Sequence, residues 1–128
     1  MKRIFTLLFS SMILFSCSLN DKSIESKISV ELQNTNELNL SNYNDFDWDS
    51  LIILNPYSNI KKIEKEKDIN LSDVSTSIER LDNINLIVFL KKGKAVKYSE
   101  LNRNIADFDK YQDIIEKEKA NFELTSDF

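Results

Sequence analysis

A chain of 128 residues with a formal charge of −4 suits a single domain and is too acidic to seek nucleic acid through its charge. It contains no His and a single Cys, which excludes Ser-His-Asp and Cys-His catalysis and the common zinc sites. One Gly leaves no Gly-rich loop to cradle a phosphate.

Residues 1–16 read as an export signal. Lys2 and Arg3 form a positive start, and Ile4 to Phe15 form an apolar core broken only by Thr6, Ser10 and Ser11. Such a core falls short of the roughly 20 apolar residues that cross a bilayer. Leu14-Phe15-Ser16-Cys17 resembles the lipobox of bacterial lipoproteins, with Leu three residues before the Cys and a small residue just before it. The resemblance implies cleavage before Cys17, a diacylglycerol on its thiol and frequent acylation of the new amine. A lone Cys in an exported chain also has no internal disulfide partner. Cleavage would remove Lys2 and Arg3, deepening the acidic balance, so anchoring is expected through acyl chains rather than charge.

Residues 17–45 are predicted as the lipidated Cys and a polar tether, since Ser, Asn, Asp, Glu, Lys and Gln dominate. Ile24, Ile28, Val30 and Leu32 admit a short helix or an edge strand, and the alternation of the last three favours a strand. A small domain is expected over 46–128. Its landmark is Phe46 to Tyr57, which holds the only Trp and the only Pro. Leu51 to Leu54 is a continuous apolar run, as in a strand covered on both faces, and Pro56 must end it.

Ser58 or Asn59 is placed to cap a helix to about Lys67, with Ile60 and Ile63 inward and the Lys/Glu run solvated. The spacing of Val74, Ile78 and Leu81 predicts a second short helix. Leu86 to Leu90 is the clearest strand, wholly apolar and therefore central. Lys91-Lys92-Gly93-Lys94 makes a hairpin turn that uses the positive φ of Gly93, and Ala95 to Tyr98 returns. Ile105, Phe108, Tyr111 or Gln112, and Ile115 have helical spacing, and Phe122 and Leu124 suit an edge strand closing the sheet. The expected fold is α+β: a small, mainly antiparallel sheet of about four strands with one or two helices packed on one face.

Trp48-Asp49, six residues, Pro56-Tyr57, then Val88, Phe89 and Gly93, resemble a group of small bacterial lipoproteins of unknown function. The likeness covers roughly Phe46 to Tyr98 and implies a fold, not an activity.

Asp45, Asp47 and Asp49 recur at spacing two, but a calcium loop starting at Asp45 would need Gly and Glu where Ser50 and Pro56 stand. They are expected to face solvent while Phe46 and Trp48 turn inward. Trp48 and Tyr57 are the candidate recognition residues, because aromatics with polar handles concentrate in binding hot spots and also serve as ordinary core residues. No catalytic residue, metal ligand or cofactor is expected. The expected protein is a lipid-anchored, non-enzymatic binding or scaffolding module on the cell membrane or outer membrane, facing the periplasm or exterior, held by Cys17 beside an envelope protein partner. The alternative is an inhibitor or ligand-binding lipoprotein that modulates an envelope enzyme, and a carboxylate-dependent hydrolase is a third.

Overall fold

The computed structural model describes residues 19–124, so residues 1–16 and Cys17 lie outside the described residues. The fold is α+β, with two α-helices and two antiparallel sheets. The larger sheet is built on the two apolar runs. Strand β2 (Ser50–Leu54) pairs antiparallel with β3 (Ile84–Lys91), placing Leu51 opposite Phe89 and Leu54 opposite Leu86. Strand β4 (Lys94–Asn102) flanks β3, and the short β5 (Ile115–Glu116) flanks β2, giving the order β4-β3-β2-β5. The hairpin between β3 and β4 turns on Lys92 and Gly93, both at positive φ (51° and 78°), the pair of dihedrals a tight two-residue hairpin needs. A bulge follows Phe89, leaving Val96 unpaired between Ala95 and Lys97.

Every residue from Leu51 to Leu54 and from Leu86 to Leu90 is fully buried. Burial on both faces requires a layer on each side, and the structure supplies both. Leu51, Ile53, Ile87 and Phe89 point into one core with Trp48, Leu101, Phe108 and Phe122, while Ile52, Leu54, Leu86, Val88 and Leu90 point into the other with Ile63, Leu71 and Ile78. Helix α1 (Lys22–Asn34) contributes Ile24 and Ile28 to the first core, and α2 (Ile60–Lys67) contributes Ile63 to the second. The two helices therefore lie on opposite faces of the sheet, not on one.

Four other expectations are corrected. The stretch expected as tether is folded from Lys22 onward. Asp21 caps α1 by accepting from the Ser23 amide at 3.0 Å. Ile24 and Ile28, four apart, share one helical face, which leaves Val30 exposed and removes any strand register. Strand β1 (Glu37–Asn39) then buries Leu38. Val74 to Leu81 forms turns rather than a helix, because side chains intercept its amides: Thr76 Oγ1 accepts from Ile78 N–H at 3.2 Å, and Tyr98 Oη from Ser75 N–H at 3.2 Å. Residues 105–119 likewise form no α-helix; Asp107 accepts from the Phe108 amide and Gln112 takes a left-handed φ of 63°. Strand β6 (Asn121–Glu123) exists, but it pairs with β1 in a second, two-stranded sheet rather than closing the first.

Candidate functional site

Where β2 ends, Asn55-Pro56-Tyr57-Ser58 forms a tight turn tied down from three directions. Ser58 Oγ lies 2.6 Å from the Asn55 carbonyl oxygen and 2.9 Å from Asn55 Oδ1. Gln112 Nε2 donates to the same Oδ1 at 3.1 Å, and Gln112 N–H donates to the Ile53 carbonyl at 2.8 Å. Tyr57 N–H donates to the Ile78 carbonyl at 2.8 Å. The neighbouring helix start is fixed as well, with Asn59 Oδ1 accepting from Lys62 N–H at 3.1 Å and Glu79 accepting from Ile60 N–H at 2.9 Å.

This scaffold holds Tyr57 at φ 64° with 63% of its surface exposed. A bulky L-residue in the left-handed region costs about 1–2 kcal/mol, and an exposed ring recovers none of that by packing. Strain kept at an exposed aromatic is the kind that gathers at binding sites. Gln112, the residue that clasps the turn, is also left-handed. Ile114, two residues further on, is a second exposed large apolar side chain.

Trp48 is not part of a recognition surface. It is buried, its Nε1–H donates to the Tyr43 carbonyl at 2.6 Å, and its ring meets Phe89 edge-on at 4.9 Å. Phe46 approaches the same Phe89 ring edge-on at 5.0 Å, so the inward alternation of Phe46 and Trp48 is what buries the indole. Lys117 Nζ lies over the indole ring, 5.0 Å from its centroid.

The three aspartates between these aromatics face outward and are each engaged. Asp45 pairs with Lys27, whose pKa rises chiefly through that hydrogen bond. Asp47 pairs with Lys91 at 3.2 Å. Asp49 accepts from the Lys92 amide at 2.9 Å, and that bond, the largest influence on it, holds its carboxyl below the ordinary value. Among the described residues no group of three or more Cys, His, Asp or Glu side chains is placed to hold a metal ion.

One polar cluster was missed in the sequence. Asp107 accepts from Arg103 Nη2 at 2.9 Å, from Asn85 Nδ2 at 3.1 Å, from the Phe108 amide at 3.3 Å and from the Tyr111 hydroxyl. Burial pushes the Asp107 carboxyl up, but the hydrogen bonds from Arg103, Tyr111 and Asn85 together outweigh it and hold the pKa at about 2. Burial and the Asp107 hydrogen bond raise the Tyr111 phenol in turn. A carboxylate so firmly ionised and so fully bonded is a poor proton shuttle near neutral pH; its chemistry is structural. The signals were present: Arg103 and Asp107 are four apart, and Asn85 is a polar residue inside an apolar strand.

Surface depressions of about 420 Å³ occur over β1 and β6, and beside Asp82, Arg103 and Asp107. A third, of about 380 Å³, lies beside Ile114, Ile115 and Phe122; all three are open, the one at Arg103 is lined by polar residues, and the other two mix polar and apolar groups. No described helix is long and apolar enough to cross a membrane. No protein-family model, curated protein or solved structure matches this chain.

Proposed function

We propose that this is a lipid-anchored protein of the cell envelope that works by binding or scaffolding another envelope component, without catalysis. The observation that carries the proposal is the basic and apolar leader ending in Leu14-Phe15-Ser16-Cys17. The binding role draws support from the Asn55–Ser58 turn, where an exposed Tyr57 is held in a strained conformation by a built hydrogen-bond frame. Open, shallow depressions favour a protein partner over a small apolar ligand, which needs a deep cavity. Saturation of Asp107 by donors from four residues leaves that carboxylate a poor acid or base near neutral pH.

The test is a pull-down from solubilised native envelopes with tagged full-length protein, beside Cys17→Ala and Tyr57→Ala variants. A defined partner captured by the parent, lost with Tyr57→Ala and diminished with Cys17→Ala is the expected result. Absence of any partner from the folded, lipidated parent overturns the scaffold role.

A further inference from the structure

The folded domain starts almost at the lipid-bearing residue. The Leu19 carbonyl accepts from Tyr98 N–H at 2.9 Å, and Asp21 N–H donates to the Tyr98 carbonyl at 2.9 Å. Asn20 thereby forms a parallel bridge with Tyr98 on the outer edge of β4. Leu19 packs against the second core, and Asp21 caps α1, so both neighbours of Asn20 are committed to the fold. Only Ser18 separates Cys17 from Leu19. An extended chain covers at most about 3.6 Å per residue, so Cys17 lies within roughly 7 Å of Leu19 whatever its path.

The outer edge of β4 is itself covered, by Asn70 at Gly93–Ala95, by Leu19–Asp21 at Tyr98 and by the Glu25 carboxylate at the Asn102 amide. We propose that the hairpin end of the larger sheet, at Lys91–Lys94, is membrane-apposed, held against lipid headgroups by the two-residue link to Cys17. The inference rests on lipidation of Cys17 and deepens that reading. Parallel pairing supplies the direction: followed back from Asn20, the chain runs beside β4 toward Lys97, which is toward the hairpin at Lys91–Lys94. Lys92 and Lys94 are exposed there and meet headgroups without burying an apolar surface. Asp47 pairs with Lys91, and Asp49 binds the Lys92 amide, so the charge of this end is mixed. The short covalent link, not Coulomb attraction, sets the placement.

The test uses the full chain, processed by a bacterium that makes lipoproteins and reconstituted into phosphatidylcholine vesicles doped with a nitroxide-headgroup lipid. An acylated Cys17 takes no thiol reagent, so Lys94→Cys and Asn104→Cys each carry one fluorophore. Position 94 opens β4 and position 104 lies in the turn just past its end, with roughly 25 Å of strand between them at about 3.3 Å per residue. Both side chains are exposed, so neither substitution removes core packing. The expected result is a larger loss of emission at position 94 than at position 104. Inserting about 20 Gly/Ser residues after Ser18, a coil spanning roughly 25 Å, should abolish that difference. Equal quenching at the two positions without the insert overturns the membrane-apposed hairpin end. Labelling of Cys17 itself, or an intact mass lacking the diacylglyceryl group, overturns instead the lipidation on which that placement depends.

Discussion

Truncating Ile28 to Ala separates a folded α1 from a tether more sharply than any other change. Ile28 is fully buried on the face of α1 that enters the first core. The substitution removes three carbons, about 2.4 kcal/mol of transfer free energy at about 0.8 kcal/mol per methylene. The cavity left behind adds to this loss, while the better helix propensity of Ala returns about 0.4 kcal/mol. The net expectation is a loss of about 3 kcal/mol, a large share of the 5–15 kcal/mol typical of a domain. At roughly 4 °C per kcal/mol, Tm falls by about 12 °C. The assay is urea unfolding of the mature chain carrying Cys17→Ala, followed by emission of the single Trp, which lies in the same core as Ile28. Val30→Ala, at an exposed position of the same helix, is the control and stays within about 0.5 kcal/mol. An Ile28→Ala chain that unfolds at the parental midpoint would refute the packing of α1.

Asp107 gives a pH dependence. Its folded pKa, about 2, lies below the ordinary 3.8, so the ionised form stabilises the fold above about pH 4, and the contribution fades as pH falls toward 2. Half-exposure screens the effect to about 1 kcal/mol, so Asp107→Asn should lower the urea midpoint near neutral pH and lower it far less at about pH 2, where the folded carboxyl is half protonated. Gly93→Ala should cost about 1 kcal/mol in the same assay through φ alone, because a Cβ there would stand 3.7 Å from the Asp68 carbonyl, without a clash. Tyr57→Gly should leave stability within about 0.5 kcal/mol, relief of the left-handed strain offsetting the entropy that Gly adds to the unfolded chain. The same variant should lose partner capture; an undiminished yield would remove Tyr57 from the binding surface.

Hydrophobic runs made the sheet legible. Leu51–Leu54 and Leu86–Leu90 read as strands covered on both faces, and such strands need a layer on each side of the sheet, not helices on one face alone. The segments that misled were those where periodicity competes with side-chain hydrogen bonding to the backbone. Val74–Leu81 has helical spacing, yet Ser75, Thr76 and Ser77 populate it, and Thr76 Oγ1 takes an amide a helix would need. In 105–119 the left-handed Gln112 breaks the pattern, held so by Asn55 from a distant turn, which no local window contains. Helix α1 was obscured by its polar majority, and only the four-residue step from Ile24 to Ile28 marked its buried face. Trp48 and Tyr57 looked equivalent in composition. The difference lay in position, since Trp48 alternates with Phe46 into the strand entry whereas Tyr57 follows the Pro that ends the strand.

The two ends of the sheet are then set apart by topology. Antiparallel pairing puts Ser50 beside Leu90 and Leu54 beside Leu86, so the Asn55–Ser58 turn and the β3–β4 hairpin lie at opposite ends of β2 and β3. The proposed membrane-apposed end is the β3–β4 hairpin, and Tyr57 lies beyond the other end of the sheet, with β2 itself separated from β4 by β3. On that placement, a partner engaging Tyr57 would approach from the aqueous side rather than from within the bilayer. Shifting the domain away from the membrane by the Gly/Ser insertion should leave that encounter intact for a soluble partner. It should weaken the encounter for a partner whose own anchor fixes its height, because the insertion separates two sites that the short link holds at matching depths.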